Sequence, residues 1–115
     1  MKYKRYCKTL KLEDNPELIE QYKKVHEPGA VWPEIIQGMR KIGIVDMEIY
    51  IADNRLFMIM DTIPGFDHDA AMKELAEKPR QIEWEAYVSQ FQQTSDTATA
   101  DEKWQLMERI YKLGN

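Results

Sequence analysis

A tyrosine and a histidine stand four residues apart in the segment EQYKKVH, residues 20–26. In an α-helix, side chains at positions i and i+4 project from the same face, one turn apart. A histidine titrates near neutral pH and can give or take a proton there. Tyr22 and His26 therefore form a candidate acid–base pair. The alternative is a core tyrosine and a histidine that complements the dipole at the end of its helix.

An indole and a carboxylate follow this pair closely. A Pro-Gly turn at residues 28–29 leads to Trp32 and Glu34. Aromatic rings combined with a few polar groups are typical of small-molecule sites, and a flat indole suits the C–H face of a sugar. We expect Trp32 and Glu34 to lie within reach of His26, in a site for proton transfer on a sugar-like ligand. Trp84 is either a second ring of this kind or a core residue at helical spacing.

Other kinds of site find no support in the sequence. The chain has one cysteine, Cys7, and two histidines far apart, and its five glycines are scattered. It contains neither a Cys-x-x-Cys nor a His-x-x-x-His spacing. These features predict no metal site, no phosphate-binding loop and no cofactor. A lone cysteine in a strand-like segment is most often a small buried hydrophobe rather than a nucleophile.

Composition and charge predict a soluble cytoplasmic protein. The 115 residues are 43% hydrophobic and 31% charged, which is typical of one globular domain, so residues 1–115 are expected to form a single domain. A formal net charge of -4 argues against a nucleic-acid partner. The start of the chain lacks an uninterrupted apolar stretch, so we expect neither a signal peptide nor contact with a membrane.

Apolar spacing, helix caps and turn residues predict the order β, α, β, β, α, β. The first helix is expected to begin at Pro16, capped by Asp14 or Asn15. The predicted elements are a strand at 2–12, helical segments from 16 and at 32–41, a hairpin of strands 44–51 and 56–63, helices at 67–76 and 82–91, a surface loop at 92–102 and a strand at 104–113. The last segment alternates imperfectly, and a helix is its alternative.

This order is that of the α+β ferredoxin-like fold, in which two helices cover one face of a four-stranded antiparallel sheet. The strand at 56–63 is apolar on both faces, and four apolar residues share one parity of the strand before it. Those four are Val45, Met47, Ile49 and Ile51. We expect an apolar sheet face away from the helices, covered by a second subunit in a homodimeric α/β barrel. The alternative is that this open face lines a ligand cleft.

The sequence resembles the L-rhamnose mutarotase family along nearly its whole length. The segments that carry the resemblance are EQYKKVH, VWPEI, MEIYIADNRLFMIM, WEAYVSQF and WQLMERIYKL. The resemblance implies a ferredoxin-like dimer without metals or organic cofactors and a monosaccharide as substrate. It also implies His26 as the catalytic proton donor, with sugar contacts from Tyr22 and Trp84. For mutarotation we assign His26 as the general acid at the ring oxygen, with Tyr22 or a water sharing the opposite proton; the alternative is a single residue that carries both protons. Glu34 is a second candidate base.

The chain departs from rhamnose-acting family members at two places. They carry a tyrosine where this chain has Met47, and Arg-Trp-Trp where it has Glu-Trp-Glu at residues 83–85. Such changes alter how sugar hydroxyls are recognised. The resemblance therefore predicts a mutarotase of a 6-deoxy-L-hexose, L-rhamnose first and L-fucose as the alternative, with Met47 at a substrate-binding position. Two other classes remain open, a non-catalytic dimeric metabolite-binding module and a haem protein with His26 as ligand.

Overall fold

The computed structural model describes residues 2–114 and contains a four-stranded antiparallel sheet with helices on one side. Its elements are β1 (Lys4–Lys11), α1 (Pro16–Val25), α2 (Pro33–Lys41), β2 (Ile44–Ala52), β3 (Arg55–Thr62), α3 (His68–Ala76), α4 (Pro79–Ser89), α5 (Ala100–Lys103) and β4 (Gln105–Leu106). The strand order is β2-β3-β1-β4. This is the order of the ferredoxin-like fold, so the predicted α+β class is confirmed.

Local signals fix the ends of the helix that carries the candidate acid–base pair. The Asn15 side chain accepts hydrogen bonds from the backbone N–H groups of Glu17 and Leu18, and Pro16 occupies the first turn, where an N–H would have no helical partner. The helix ends at His26, whose N–H bonds back to the last turn. The predicted start of α1 is therefore confirmed, with Asn15 rather than Asp14 as the cap.

The hairpin forms where its turn residues predict it. Asp53 has a φ of 55°, and Asn54 follows it in the two-residue connection between β2 and β3. Left-handed backbone conformations of this kind match the twist of a tight hairpin. A bulge between Ile44 and Asp46 shifts the register at the start of β2. The bulge lies at Val45, beside the cavity described below.

The apolar residues of β2 face the helices, which corrects one prediction. Met47, Ile49 and Ile51 lie opposite three buried residues of β3: Met60, Met58 and Leu56, in that order. Residues directly opposite in a ladder share a face, so this parity of β2 belongs to the helix-covered side. Val45 also lines the helix-side cavity. The expectation that these four residues cover the far face is therefore wrong.

The far face of the sheet is mixed rather than uniformly apolar. Half-buried Phe57 and Ile59 project there from β3, because they alternate with the buried residues of that strand. Arg5 and Asp61 form a bidentate ion pair on the same face, with Nε 2.8 Å from Oδ1.

The C-terminal part differs from the predicted long strand. Residues 100–103 form α5, and β4 is only two residues long, paired with Lys8 and Thr9. Residues 107–114 lie outside helices and strands. The alternation there is broken by the charged residues Glu108, Arg109 and Lys112, so no single apolar face is available to extend the sheet. The predicted strand at 104–113 is therefore wrong beyond β4.

The predicted surface loop is also more ordered at its ends than expected. Gln92 is buried and forms an isolated bridge with Leu12. At the other end, Thr99 and Glu102 form a reciprocal capping box that starts α5. Within residues 2–114, no helix is long and apolar enough to cross a bilayer.

Candidate active site

A cavity of about 440 Å³ lies between the helices and the face of the sheet that they cover. Its floor is formed by methionines from β2 and β3, Met47, Met58 and Met60, and α1 and α4 supply part of its walls. The volume falls within the range of pockets that hold small molecules. The cavity is therefore the natural place to look for a ligand site.

Tyr22 and His26 both line this cavity, one turn apart at the end of α1. The His26 Nδ1 atom lies 2.9 Å from the main-chain oxygen of Tyr22, and their rings are 4.3 Å apart between centroids. A carbonyl oxygen can only accept a hydrogen bond, so Nδ1 carries the proton. In the neutral ring Nε2 then holds a lone pair and can accept a proton from a ligand.

Burial controls the protonation of both side chains. Loss of water lowers the pKa of His26, and the hydrogen bond to the Tyr22 carbonyl and the charge of Glu85 oppose this only in part. His26 is therefore largely neutral near pH 7. Burial raises the pKa of the Tyr22 phenol, so that group keeps its proton and serves as a hydrogen-bond donor.

Trp84 forms part of the cavity wall next to the histidine. Its ring meets His26 edge-on, with centroids 5.7 Å apart, and it is 5% exposed. Trp32 packs edge-on against Trp84 at 5.1 Å but lies outside the cavity lining. It is held there by stacking on Tyr87 and by the Arg80 guanidinium over its face. Trp32 thus contacts Trp84 without being part of the cavity lining, and its role as a substrate contact stays a prediction.

The two remaining residues predicted from sequence lie in different surroundings. Met47 is half-buried and lines the cavity floor. Glu34 lies on the exposed side of the first turn of α2, where its carboxylate accepts a hydrogen bond of 3.0 Å from Arg80. It is not part of the cavity lining. The structure thus brings Tyr22, His26, Trp84 and Met47 together and leaves Glu34 outside; its role as a substrate contact stays a prediction.

A different glutamate reaches the cavity. Glu85, 8% exposed, lines it next to Trp84 on α4. Its Oε1 lies 2.8 Å from the Nζ atom of Lys103, and its Oε2 accepts from Gln81 at 2.5 Å. Buried carboxylates need such partners to remain charged. Sequence reasoning treated Glu85 only as a departure from family members; its spacing of four from Gln81 was the available signal.

Lys8 and Gln92 also line the cavity, and neither was predicted from the sequence as a site residue. Lys8 occupies the same parity of β1 as Tyr6 and Leu10, the inward-facing one. A lysine on an inward parity was the signal that could have identified it. Gln92 had no comparable signal, because its burial depends on the bridge to Leu12.

The described residues offer no group of three or more His, Cys, Asp or Glu side chains placed to hold a metal ion. The arrangement consists instead of a neutral imidazole, a phenol, an indole wall and buried polar groups around an apolar floor. These groups are suited to binding a small polar ring and to moving a proton on it.

Proteins of similar sequence include two sugar mutarotases. A family model described as L-rhamnose mutarotase matches residues 5–113. An L-fucose mutarotase from Xanthomonas campestris pv. campestris is 37% identical over 115 residues, covering 98% of this chain and 90% of that protein. An L-rhamnose mutarotase from Burkholderia ambifaria is 30% identical over 89 residues, covering 75% of this chain and 80% of that protein.

A solved structure supports the fold independently. The crystal structure of an L-rhamnose mutarotase from Formosa agariphila matches with a TM-score of 0.73 and 19% identity. The match covers 96% of this chain and 99% of that one, so the whole architecture is shared.

Proposed function

The chain belongs to the L-rhamnose mutarotase family, whose members are isomerases that act on sugars, and from this premise we propose that it interconverts the α and β anomers of a 6-deoxy-L-hexose. The observation that carries the proposal is the neutral imidazole of His26, held at Nδ1 and facing the cavity beside Trp84. An indole wall suits the face of a pyranose, and the apolar floor suits the methyl group of a 6-deoxy sugar.

The reaction uses one proton carrier in two directions. His26 accepts the proton of the anomeric hydroxyl at Nε2 as the bond between the anomeric carbon and the ring oxygen breaks. The imidazolium then returns that proton to the ring oxygen, which gives the open-chain aldehyde. Rotation about the first carbon–carbon bond and the reverse proton steps close the ring as the other anomer. A positioned acid–base group of this kind contributes about 10² to 10⁴ in rate.

Tyr22 assists by holding a substrate oxygen. Its phenol stays protonated, because burial raises its pKa. A hydrogen bond from this group orients the anomeric oxygen or the ring oxygen toward His26. The sequence-based assignment of His26 as the acid at the ring oxygen is kept in this scheme, with the same residue as the base in the preceding step.

We take L-fucose as the first candidate substrate and L-rhamnose as the second. The Xanthomonas relative named as an L-fucose mutarotase matches 98% of the chain at 37% identity, which favours L-fucose. The family model and the Burkholderia relative favour L-rhamnose. Met47 and Glu85 stand where rhamnose-acting members carry larger aromatic side chains. This difference supports different contacts with the sugar hydroxyl groups, and therefore a different sugar.

Exchange NMR tests this function directly. The exchange rate between the α and β anomeric proton signals is measured for L-fucose and L-rhamnose, with and without protein. We expect acceleration for at least one sugar and a higher kcat/KM for L-fucose. Binding without acceleration would instead make the protein a sugar-binding module, and a higher kcat/KM for L-rhamnose would reverse the choice of substrate.

We also propose that the protein is a homodimer. Three large apolar side chains of the C-terminal segment are strongly exposed in the single chain: Ile110 at 89%, Tyr111 at 73% and Leu113 at 89%. The segment follows the sheet edge formed by β4. Apolar groups exposed together mark an interaction surface, and a second copy of the chain is the occupant that this family resemblance suggested.

A further inference from the structure

Lys8 is a buried lysine that makes no ion pair within residues 2–114, and Asp101 and Asp69 act on it only as more distant charges. It lies in the middle of β1, opposite Met58, and is 3% exposed. Its ammonium has three N–H donors, and the hydrogen bond it makes is to the Met72 sulfur, at 3.7 Å. None of the described carboxylates forms an ion pair with it. A buried charge without a strong acceptor is costly, so a role in binding would explain its presence.

A second buried lysine, Lys103, has the contacts expected of a structural role. Lys103 is also buried, at 7% exposure. Its Nζ atom lies 2.8 Å from Glu85 Oε1 and donates to the Glu85 main-chain oxygen at 2.7 Å. Lys103 is therefore paired and hydrogen-bonded within the fold, whereas Lys8 is a cavity-lining residue whose ammonium lacks comparable partners among the described residues.

Gln92 carries a buried hydrogen-bond acceptor to which no described group donates. It is 3% exposed, and its Nε2 donates to the Tyr22 hydroxyl at 3.4 Å. In that orientation its Oε1 atom is buried and has no hydrogen-bond partner among the residues that the structure describes. Gln92 also lines the cavity. Two residues of the cavity lining thus carry unfilled hydrogen-bonding groups, donors on Lys8 and an acceptor on Gln92.

The Lys8 ammonium and the Gln92 Oε1 atom together limit the kinds of ligand that would satisfy both. An anion would satisfy Lys8 but would be opposed by Gln92 Oε1 and by the Glu85 carboxylate in the same lining. An apolar ligand would satisfy neither group. Hydroxyl groups accept from an ammonium and donate to an amide oxygen, so a neutral ligand with several hydroxyls satisfies both.

We propose that Lys8 and Gln92 are further substrate-binding residues, Lys8 donating to and Gln92 accepting from hydroxyl groups of the sugar. This inference rests on the proposed function and deepens it, because it names contacts that determine which sugar is recognised. Gln92 also holds the Tyr22 hydroxyl, so one amide connects a substrate oxygen to the phenol beside His26.

The Lys8→Met variant separates a binding role from a structural one. Methionine has a similar length and matches the neighbouring Met58 and Met72, so the core stays filled while a buried charge is removed. We expect an unchanged or higher midpoint of thermal unfolding together with a sugar KM raised about ten- to hundredfold. The matched control Lys103→Met strands the Glu85 carboxylate and is expected to lower the unfolding midpoint.

A second pair of variants tests whether the side-chain amide of Gln92 binds the sugar. Gln92→Met removes both polar atoms and is expected to raise KM by about tenfold. Gln93→Met is the control, because Gln93 is exposed, lies outside the cavity lining and uses its side-chain amide to donate to the Leu12 main-chain oxygen. Wild-type KM in both Lys8→Met and Gln92→Met would overturn the inference.

A measurement on the unaltered protein covers the case in which a variant does not fold. With ¹⁵N-lysine labelling, the Nζ signal of Lys8 is followed during titration with L-fucose and L-rhamnose. A saturable shift supports the inference, and an unshifted signal at saturating sugar overturns it.

The outcomes also separate this inference from the proposed function. Accelerated anomer exchange by the wild type with unaffected variants leaves the function intact and removes Lys8 and Gln92 from the site. If the wild type does not accelerate exchange, the proposed function fails, and the Lys8 Nζ titration alone decides whether the sugar contacts exist.

Discussion

The Nδ1 atom of His26 lies 2.9 Å from the main-chain oxygen of Tyr22, one helical turn earlier. This bond sets both the tautomer and the orientation of the imidazole, because the carbonyl can only accept. It is made possible by the end of α1, where the carbonyls of the last turn lack helical N–H partners. The helix end thus holds a base whose free nitrogen is available to a ligand in the cavity.

Replacing this imidazole should abolish most of the rate enhancement. We expect His26→Gln to lower kcat for anomer exchange by about 10² to 10⁴, since no proton carrier then occupies the position. Exchange NMR measures the rate, and circular dichroism verifies the fold. The control is His68→Gln, because His68 bonds to Asp69 and lies outside the cavity lining. Full activity in His26→Gln would remove the assignment of the base.

The acid limb of the pH profile should lie below the ordinary histidine range. Burial lowers the pKa of His26 from its usual 6.5, so the neutral base persists as the pH falls past that value. We expect kcat/KM to be flat near pH 7 and to decline with a midpoint below 6.5. A midpoint above 6.5 would mean that the ring is stabilised in its charged form and would contradict the assignment.

Removing the charge of Glu34 and removing that of Glu85 should affect activity differently. Glu34 is exposed and pairs with Arg80, so Glu34→Gln should leave kcat/KM within about twofold of wild type. Glu85→Gln removes a cavity-lining charge that raises the pKa of His26, so the acid limb should move to still lower pH. A large loss of activity in Glu34→Gln alone would restore the sequence-based assignment of Glu34 to the site.

Replacing Trp84 and replacing Trp32 should affect the sugar KM to different extents. Trp84 lines the cavity, whereas Trp32 packs against Trp84 and is not part of the lining. We expect Trp84→Phe to raise the sugar KM about two- to tenfold, the range typical of one aromatic contact. Trp32→Phe should change KM by less than about twofold. Equal losses of affinity would place both rings against the sugar.

Local signals account for what the sequence predicted correctly. Helix starts such as the Asn15 cap, and the Asp53–Asn54 turn, depend on interactions within a few residues. The pairing of Tyr22 with His26 is likewise local, since helical periodicity alone puts them on one face. The element order followed from these signals, and with it the ferredoxin-like fold.

What the sequence did not predict depends on tertiary contacts. Glu34 is near His26 in the chain, but it faces solvent in the first turn of α2. Glu85 reaches the cavity because α4 packs there and Lys103, distant in sequence, supplies its partner. Lys8 had a parity signal, yet parity alone does not show that its ammonium lacks a carboxylate partner. Local reasoning therefore did not find the polar groups inside the core, whereas the role of exposed Glu34 stays a prediction.

The C-terminal segment provides the last prediction, which concerns assembly. Ile110 and Leu113 are each 89% exposed in the single chain, although both are large and apolar. If a second copy covers them, the double variant Ile110→Glu, Leu113→Glu places two carboxylates in an apolar contact and should shift the protein to a monomer. Sedimentation velocity should then give the 13.6 kDa of one chain instead of twice that mass.

The matched control for assembly is Glu108→Gln, which alters an exposed charge in the same segment without adding one to the apolar surface. It should sediment like the wild type. A wild-type protein that is monomeric at concentrations used for activity would contradict the dimer. Retained anomer exchange by the monomeric variant would show that the site does not need a second copy of the chain.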